Sequence, residues 1–254
     1  MSKCLIKRNF SRGARHYDRH SAVQRECALK ILDLAGEKRH SRILEIGCGT
    51  GVYTGLLSDK FPGAEITAVD LSRPMVDLAK KKISGSNVRF VVDDGECMPL
   101  DGKFDMITSN AAFQWFEDLD AAIGSFSEGL SDGGTLCFSM YGPETFKEFQ
   151  EVLAAHFGAQ RLSSENFISP QTLMSMLDRH FDEVVLREEY FKADFGSLWD
   201  FLQDIKRSGT RGYGLGNDIF IGKGVLKELE KTYVERFGGI VATHHVYFGR
   251  ACMG

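Results

Sequence analysis

The chain has 254 residues, enough for one large domain with a decorated edge or a domain with a small lobe. It is 43% hydrophobic and 26% charged, an ordinary globular balance, and its net charge of −4 gives no global case for nucleic acid or a membrane surface as partner. No run of 18 apolar residues occurs and no apolar stretch follows the basic N-terminus, so neither a membrane-spanning helix nor a secretory signal is expected, and the cytoplasm is.

The cysteines Cys4, Cys27, Cys48, Cys97, Cys137 and Cys252 are dispersed without a C-x-x-C pair. Reduced, mostly packed thiols are expected, with no disulfide framework and no metal site.

In chain order, the first ten residues are too polar for an assignment. Over 20–35, Val23, Cys27, Ile31 and Leu34 recur at helical spacing, and Gly36 is a natural stop. Alternation follows. Strands are predicted at 42–46, 65–70, 88–92, 104–109 and 134–140, with helices at 50–61, 73–83 and 119–130 between them. Such repetition argues for a doubly wound, mostly parallel α/β sheet.

Beyond residue 140 the pattern loosens. Helical character returns at 143–157, 170–179 and 225–237, and strand character at 183–192 and 240–250. A helix at 195–205 would place Phe195, Leu198, Trp199, Leu202 and Ile205 on one face. The stretch 208–217 holds four glycines and reads as a loop. No linker separates two domains. The expectation is one domain, with 1–35 and 193–238 forming a helical cap over a core of 36–192 and 239–254.

The segment ILEIGCGTG, 43–51, runs from a strand into the turn Gly47-Cys48-Gly49-Thr50-Gly51. Ligands of doubly wound sheets lie beyond the carboxyl ends of the strands, where glycines let backbone approach without a Cβ in the way. Asp70 ends the second strand, 19 residues after Gly51. An acid there can accept from both hydroxyls of a ribose; its other reading is a helix N-cap, a role open to Ser72. Glu45 stands two residues before the first glycine, in a G-x-G-x-G spacing rather than G-x-G-x-x-G. A carboxylate aimed at that turn would repel a pyrophosphate and suit a cationic ligand, which speaks against a nicotinamide dehydrogenase.

LEIGCGTG, AVDLS (68–72) and DDGECMPL (93–100) resemble, in order, the motifs of class I S-adenosylmethionine-dependent methyltransferases. The resemblance implies a seven-stranded Rossmann-like sheet with one antiparallel strand near its edge, fitting the late strands. It implies S-adenosyl-L-methionine as cofactor, S-adenosyl-L-homocysteine as product and no metal. Glu45 and the turn, Gly47, Cys48, Gly49 and Gly51, would face the methionine end, and Asp70 would hold the ribose. Leu71 and Met75 would flank the adenine, Asp94 would bind its amino group, and the Gly95 amide would meet a ring nitrogen. Asn110 belongs to the same cofactor-binding set.

The fourth strand ends in SNAAFQWFED, 109–118. Phe113, Trp115 and Phe116 crowd a loop on the ligand side. One or two should be core packing, and one ring is expected beside the sulfonium, where cation–π attraction contributes roughly 0.5–2 kcal/mol. SNAAFQW, with FSRGARHYDRHSAVQ (10–24) and THHVYFG (243–249), is similar to the carboxyl O-methyltransferases of biotin synthesis that esterify a malonyl thioester. The implied partners are malonyl-acyl-carrier protein or malonyl-coenzyme A. Gly13 departs from that family, which more often has alanine there.

A malonyl carboxylate is ionised at neutral pH, so its attack on a methyl carbon needs no general base, and none is assigned. Positioning is assigned to Tyr17, Gln114 and Trp115; alignment can supply roughly 7–11 kcal/mol. His244 and His245 are strand neighbours pointing to opposite faces, read as structural or surface residues. Cations for the acceptor are sought in Arg12 and Arg15 of the N-terminal arm and in Lys206, Arg207 and Arg211, with Tyr17 beside them in the substrate-binding set. Lys206 and Arg207 have a second reading, as last-turn cations favoured by the helix dipole. The alternatives are another small acceptor, such as a quinone precursor or a free dicarboxylic acid, and a non-catalytic cofactor-binding subunit.

Overall fold

The computed structural model describes residues 2–83, 85, 87–158, 167–208 and 222–254. Helix α1 (Lys3–Gly13) and a 3-10 turn (Tyr17–His20) lead into α2 (Ala22–Leu34). Then come β1 (Arg42–Ile46), α3 (Val52–Lys60), β2 (Glu65–Asp70), α4 (Arg73–Lys82), β3 (Val88–Val92) and β4 (Phe104–Asn110). A 3-10 turn (Phe113–Trp115), α5 (Leu119–Gly129), β5 (Leu130–Tyr141), α6 (Lys147–Phe157) and α7 (Pro170–Leu177) follow. The remainder is β6 (Glu183–Phe195), α8 (Leu198–Arg207), α9 (Lys223–Phe237) and β7 (Ile240–Cys252).

The seven strands form one sheet in the order β3-β2-β1-β4-β5-β7-β6. The first five are parallel; β7 lies antiparallel between β5 and β6. The chain moves outward from β1 through β2 to β3, then crosses back to β4 on the other side of β1. That reversal opens a crevice at the carboxyl ends of β1 and β4.

Alternation within the strands divides the core. Ile43, Ile66, Met106 and Cys137 face α2, α3 and α6. Leu44, Ile46, Ile107, Leu136 and Phe138 face α5 and α7. Helices cover both faces, so β1 is buried from Ile43 to Ile46, as parallel strands require. Local capping fixes helix starts: Asp118 accepts from the Ala121 amide, Ser169 from Thr172 and Ser197 from Asp200.

Two expectations change, and the segment left unassigned from sequence gains a structure. The polar N-terminus is helical, because Ile6 and Phe10 find apolar partners on the body of the protein. Phe195 ends β6 instead of opening a helix; Ser197 caps α8, whose buried face is Leu198, Phe201 and Ile205, while Trp199 is 57% exposed. The fifth strand starts four residues early, at Leu130, through an irregular register between Phe104 and Met106. The glycine-rich 208–217 stretch lies, apart from Ser208, outside the described residues.

Candidate active site

A cavity sits at the predicted crevice. Its floor is Ile46, Gly47 and Gly49 from the end of β1, and Val69, Asp70, Leu71 and Met75 from β2 and α4. One wall is Asp94, Gly95 and Glu96 after β3; the other is Asn110, Ala111, Ala112, Trp115 and Phe116 after β4. Lys3, Ile6, Phe10 and Tyr17 close it from the N-terminal arm. A smaller cavity shares Tyr17, Gly47, Gly49 and Asn110 and reaches Glu45 and Cys48.

The three turn glycines have separate reasons. All have positive φ: +76° at Gly47, +54° at Gly49 and +85° at Gly51. A Cβ on Gly47 would lie 2.4 Å from that of Ala112, and one on Gly51 would lie 2.9 Å from that of Ala79 in α4. A Cβ on Gly49 would meet nothing and would project into open space. Gly49 is thus the position where backbone lies bare toward a ligand. Gly51 lines neither cavity and instead allows α3 to pack on α4. Cys48 packs its side chain with Ala68 and Val76, and burial pushes its thiol well up.

Asp70 ties this turn to the next. Oδ2 accepts from the Gly49 amide at 2.9 Å and Oδ1 from the Ser72 amide at 2.7 Å. Burial raises its carboxyl, and these two hydrogen bonds oppose the rise. Ser72 stands at the α4 N-cap without a side-chain cap bond, so Asp70 satisfies a backbone donor there itself.

Glu45 is 1% exposed, and its Oε2 has no hydrogen-bond partner. Burial pushes its carboxyl up to about 8. An unpartnered carboxyl oxygen beside the bare Gly49 backbone, ionised on meeting a cation, is the chemistry that an ammonium group would complete. With Asp70, Asp94 and Glu96 the two cavities carry four acids, an acceptor set matching a cationic ligand with ribose hydroxyls. The cofactor expected from the sequence therefore fits the residues present.

At the far wall Lys3 reaches 2.6 Å from Asp94 Oδ2 and 2.8 Å from Glu96 Oε2. Burial lowers the affinity of this ammonium for its proton, and the two carboxylates outweigh that and raise it. Glu96 also accepts from the Glu117 and Asp118 amides. A Cβ on Gly95 would stand 2.7 Å from Ile46 Cγ2, so any larger residue would have to displace Ile46 where this loop closes on β1.

The arm is fastened along its length. Ser11 and Ser72 are 2.9 Å apart, Asp18 accepts from Thr50 and pairs with Lys82, and His20 meets Asp204 of α8 at 2.6 Å. Phe10 lies edge-on to Tyr17 at 6.2 Å and to Trp115 at 5.8 Å. Burial raises the Tyr17 hydroxyl pKa, and the charges of Asp70 and Asp18 add to the effect.

The other expected residues divide. Phe113 is core, packed on Phe116, Phe126 and Phe138. Asn110 borders both cavities, but its side chain is a strut, donating to the Gln24 carbonyl and accepting from Ser139. Gln114 lies outside the cavity wall and links the Ala111 carbonyl to the Tyr141 amide. Arg12, Lys206 and Arg207 are exposed and border neither cavity; Arg211 lies outside the described residues. His244 packs against Tyr141 and Phe146, and burial lowers it to about 4; His245 points the other way, stacked on Tyr190 with Nε2 at 2.9 Å from Glu188.

Sequence reasoning missed Lys3, Ile6, Phe10 and Glu96. The first three recur at i, i+3 and i+7, a helical stripe readable in principle but set in a strongly polar segment.

The Methyltransferase domain family model matches residues 43–134, which span β1 through β4 to the start of β5. Malonyl-[acyl-carrier protein] O-methyltransferase 1 of Ilyobacter polytropus is 32% identical over 98% of this chain and 94% of its own length. A malonyl-[acyl-carrier protein] O-methyltransferase of Acetivibrio thermocellus is 30% identical over 98% and 93%. Among solved structures, the YcgJ protein of Bacillus subtilis superposes with a TM-score of 0.62 at 18% identity, covering 89% of this chain and 97% of that one. Phosphoethanolamine N-methyltransferase 2 of Haemonchus contortus, in complex with S-adenosyl-L-methionine, gives 0.57 at 17% identity, covering 89% and 52%. Those two likenesses concern the fold; the full-length relatives extend over the arm and the last strands as well. An acid-lined crevice at the switch point of this sheet and kinship along the whole chain meet in one conclusion: this S-adenosylmethionine-dependent methyltransferase belongs to the malonyl-[acyl-carrier protein] O-methyltransferase family.

Proposed function

We propose that the chain transfers a methyl group from S-adenosyl-L-methionine to the free carboxylate of a malonyl thioester carried on acyl-carrier protein, in biotin synthesis in the cytoplasm. The observation that carries this reading is relatedness over 98% of the chain to proteins of that name. In the same reading the molecule is one domain, with 1–35 and 193–238 as a cap.

The cofactor supplies a methyl carbon made electrophilic by a sulfonium. The residues present suit its seat: Asp70 for the ribose, Leu71 and Met75 for the adenine faces, Asp94 and the Gly95 amide for the adenine edge. Glu45 and the Gly47–Gly49 backbone suit the methionine end. Tyr17 and Trp115, bridged by Phe10, suit the place where the acceptor meets the methyl group. No residue there has to take a proton, because the malonyl carboxylate is already ionised. What the chain contributes is alignment and exclusion of water, and alignment can supply roughly 7–11 kcal/mol. Ile6 and Phe10 roof the cavity and perform the second task.

The test offers purified protein labelled cofactor with malonyl-carrier protein, malonyl-coenzyme A, malonate and a quinone precursor. Label on the malonyl thioester as a methyl ester is expected. Transfer only to a free acid or a phenolic ring would replace this reading with another acceptor.

A further inference from the structure

Helix α1 has two faces. Lys3, Ile6 and Phe10 line the cavity, and Ile6, Asn9 and Gly13 are buried. Arg8 and Arg12 lie one turn apart on the opposite side, and Arg15 follows in the turn that ends the helix; all three are exposed. Lys7 and Arg19 are exposed nearby.

Residues 2–20 hold six cations and one acid, Asp18, in a chain of net charge −4. Lys3 is taken by Asp94 and Glu96, and Asp18 by Lys82. Among the described residues no carboxylate pairs with Lys7, Arg8, Arg12, Arg15 or Arg19. Like charges one turn apart repel; the helix dipole favours Arg12 in the last turn of α1, but it does not account for Arg8 beside it.

We propose that the outer face of α1, Arg8, Arg12 and Arg15, is the docking surface for an acidic helix of the acyl-carrier protein. This rests on the acceptor reading above and names where its protein part binds. Charge complementarity selects the occupant: an acidic surface neutralises a strip that the rest of this acidic chain leaves bare. A lipid surface fits less well. The exposed large apolar side chains among the described residues are Leu29, Val185, Tyr190, Trp199 and Val234, so α1 offers none for insertion. The strip runs toward Tyr17, which borders both cavities, so a carrier seated there delivers a slender thioester arm at the edge of the roof.

The experiment compares the wild type with Arg8→Glu/Arg12→Glu/Arg15→Glu on two acceptors. One is the malonyl-carrier protein. The other is malonyl-pantetheine, which has the thioester arm but no phosphate and no protein. The KM for the carrier is expected to rise about tenfold or more at low salt, the difference shrinking as salt is added. Turnover of malonyl-pantetheine and affinity for S-adenosylhomocysteine should stay within about twofold, as charge changes at solvated positions allow. The same charge change at the exposed Arg89, Lys223 and Lys227 should leave the carrier KM near that of the wild type. An unchanged carrier KM in the α1 variant overturns the surface alone. Equal loss on malonyl-pantetheine also overturns it, by placing the arginines at the chemistry. A wild type that methylates neither acceptor removes the acceptor reading, and the docking surface with it.

Discussion

The Gly49 amide donates to Asp70 Oδ2 at 2.9 Å, so the acid that ends β2 holds the turn that ends β1. Its other oxygen accepts from Ser72. Asp70 therefore shapes the crevice before any ligand arrives, and each oxygen keeps a second lone pair for a ribose hydroxyl. Asp70→Ala should strand two backbone donors, lowering stability by about 1–3 kcal/mol while weakening S-adenosylhomocysteine binding about tenfold or more. Asp70→Asn retains one acceptor oxygen and should lose affinity with a smaller fall in Tm. Calorimetry and thermal unfolding on the same samples check both; unaltered affinity in the alanine variant would move the ribose elsewhere.

Glu45 gives a pH prediction with a definite sign. Its carboxyl is raised by burial from 4.5 to about 8, so between these values the folded state holds a proton that the unfolded state has lost. Stability should fall as pH rises through that window and level off above it. Glu45→Gln should flatten this slope. A ligand ammonium favours the carboxylate, so cofactor binding near pH 7 should release about one proton from Glu45, and Glu45 should contribute almost none at pH 9, where uptake by the ligand amine takes over. Titration in buffers of different ionisation enthalpy measures the release; no buffer dependence would separate Glu45 from the methionine end.

The turn glycines should fail in different ways. Gly47→Ala drives a methyl into Ala112 at 2.4 Å and should destabilise the fold by about 1–3 kcal/mol. Gly51→Ala meets the Ala79 backbone and side chain and should likewise act on stability. Gly49→Ala meets no protein atom, so its stability loss should be the left-handed backbone term of about 1–2 kcal/mol, with a disproportionate loss of cofactor affinity. Comparing Tm with Kd across the three separates packing from approach.

Lys3 tests the roof. Its partners are part of the cavity wall, with side-chain exposures of 26% for Asp94 and 7% for Glu96. Lys3→Ala should change global stability by about 1 kcal/mol or less, since Glu96 keeps its two backbone donors. Amide exchange in α1 should accelerate, and S-adenosylhomocysteine should dissociate several-fold faster. Unchanged protection of α1 would mean that Ser11–Ser72 and His20–Asp204 hold the arm without it.

Much of the fold was legible because its signals are local. Alternating apolar strands, glycine after β1 and Asp70 at the end of β2 each act within a few residues. The helix at 195–205 was misread because Trp199 and Phe201 are both large and apolar. Only Ser197 as a cap and the continued pairing of Phe195 with Ile240 fix which face turns inward. Three of the four acids, Glu45, Asp70 and Asp94, were legible as well, because each stands within two residues of a strand end; Glu96 was not. The roof was not: nothing near Phe10 says that it will stand between Tyr17 and Trp115.

By itself the sequence determined the alternation of strands and helices and the acidic glycine turn, since periodicity and turn chemistry are properties of neighbouring residues; the methyltransferase reading came from the resemblance of its motifs. Tertiary structure decided that α1 covers the cavity, that Gly51 packs while Gly49 stays bare, and that Arg12, Lys206 and Arg207 face solvent. Those outcomes depend on contacts between residues tens to a hundred positions apart, whose burial is settled when the whole chain closes around its core.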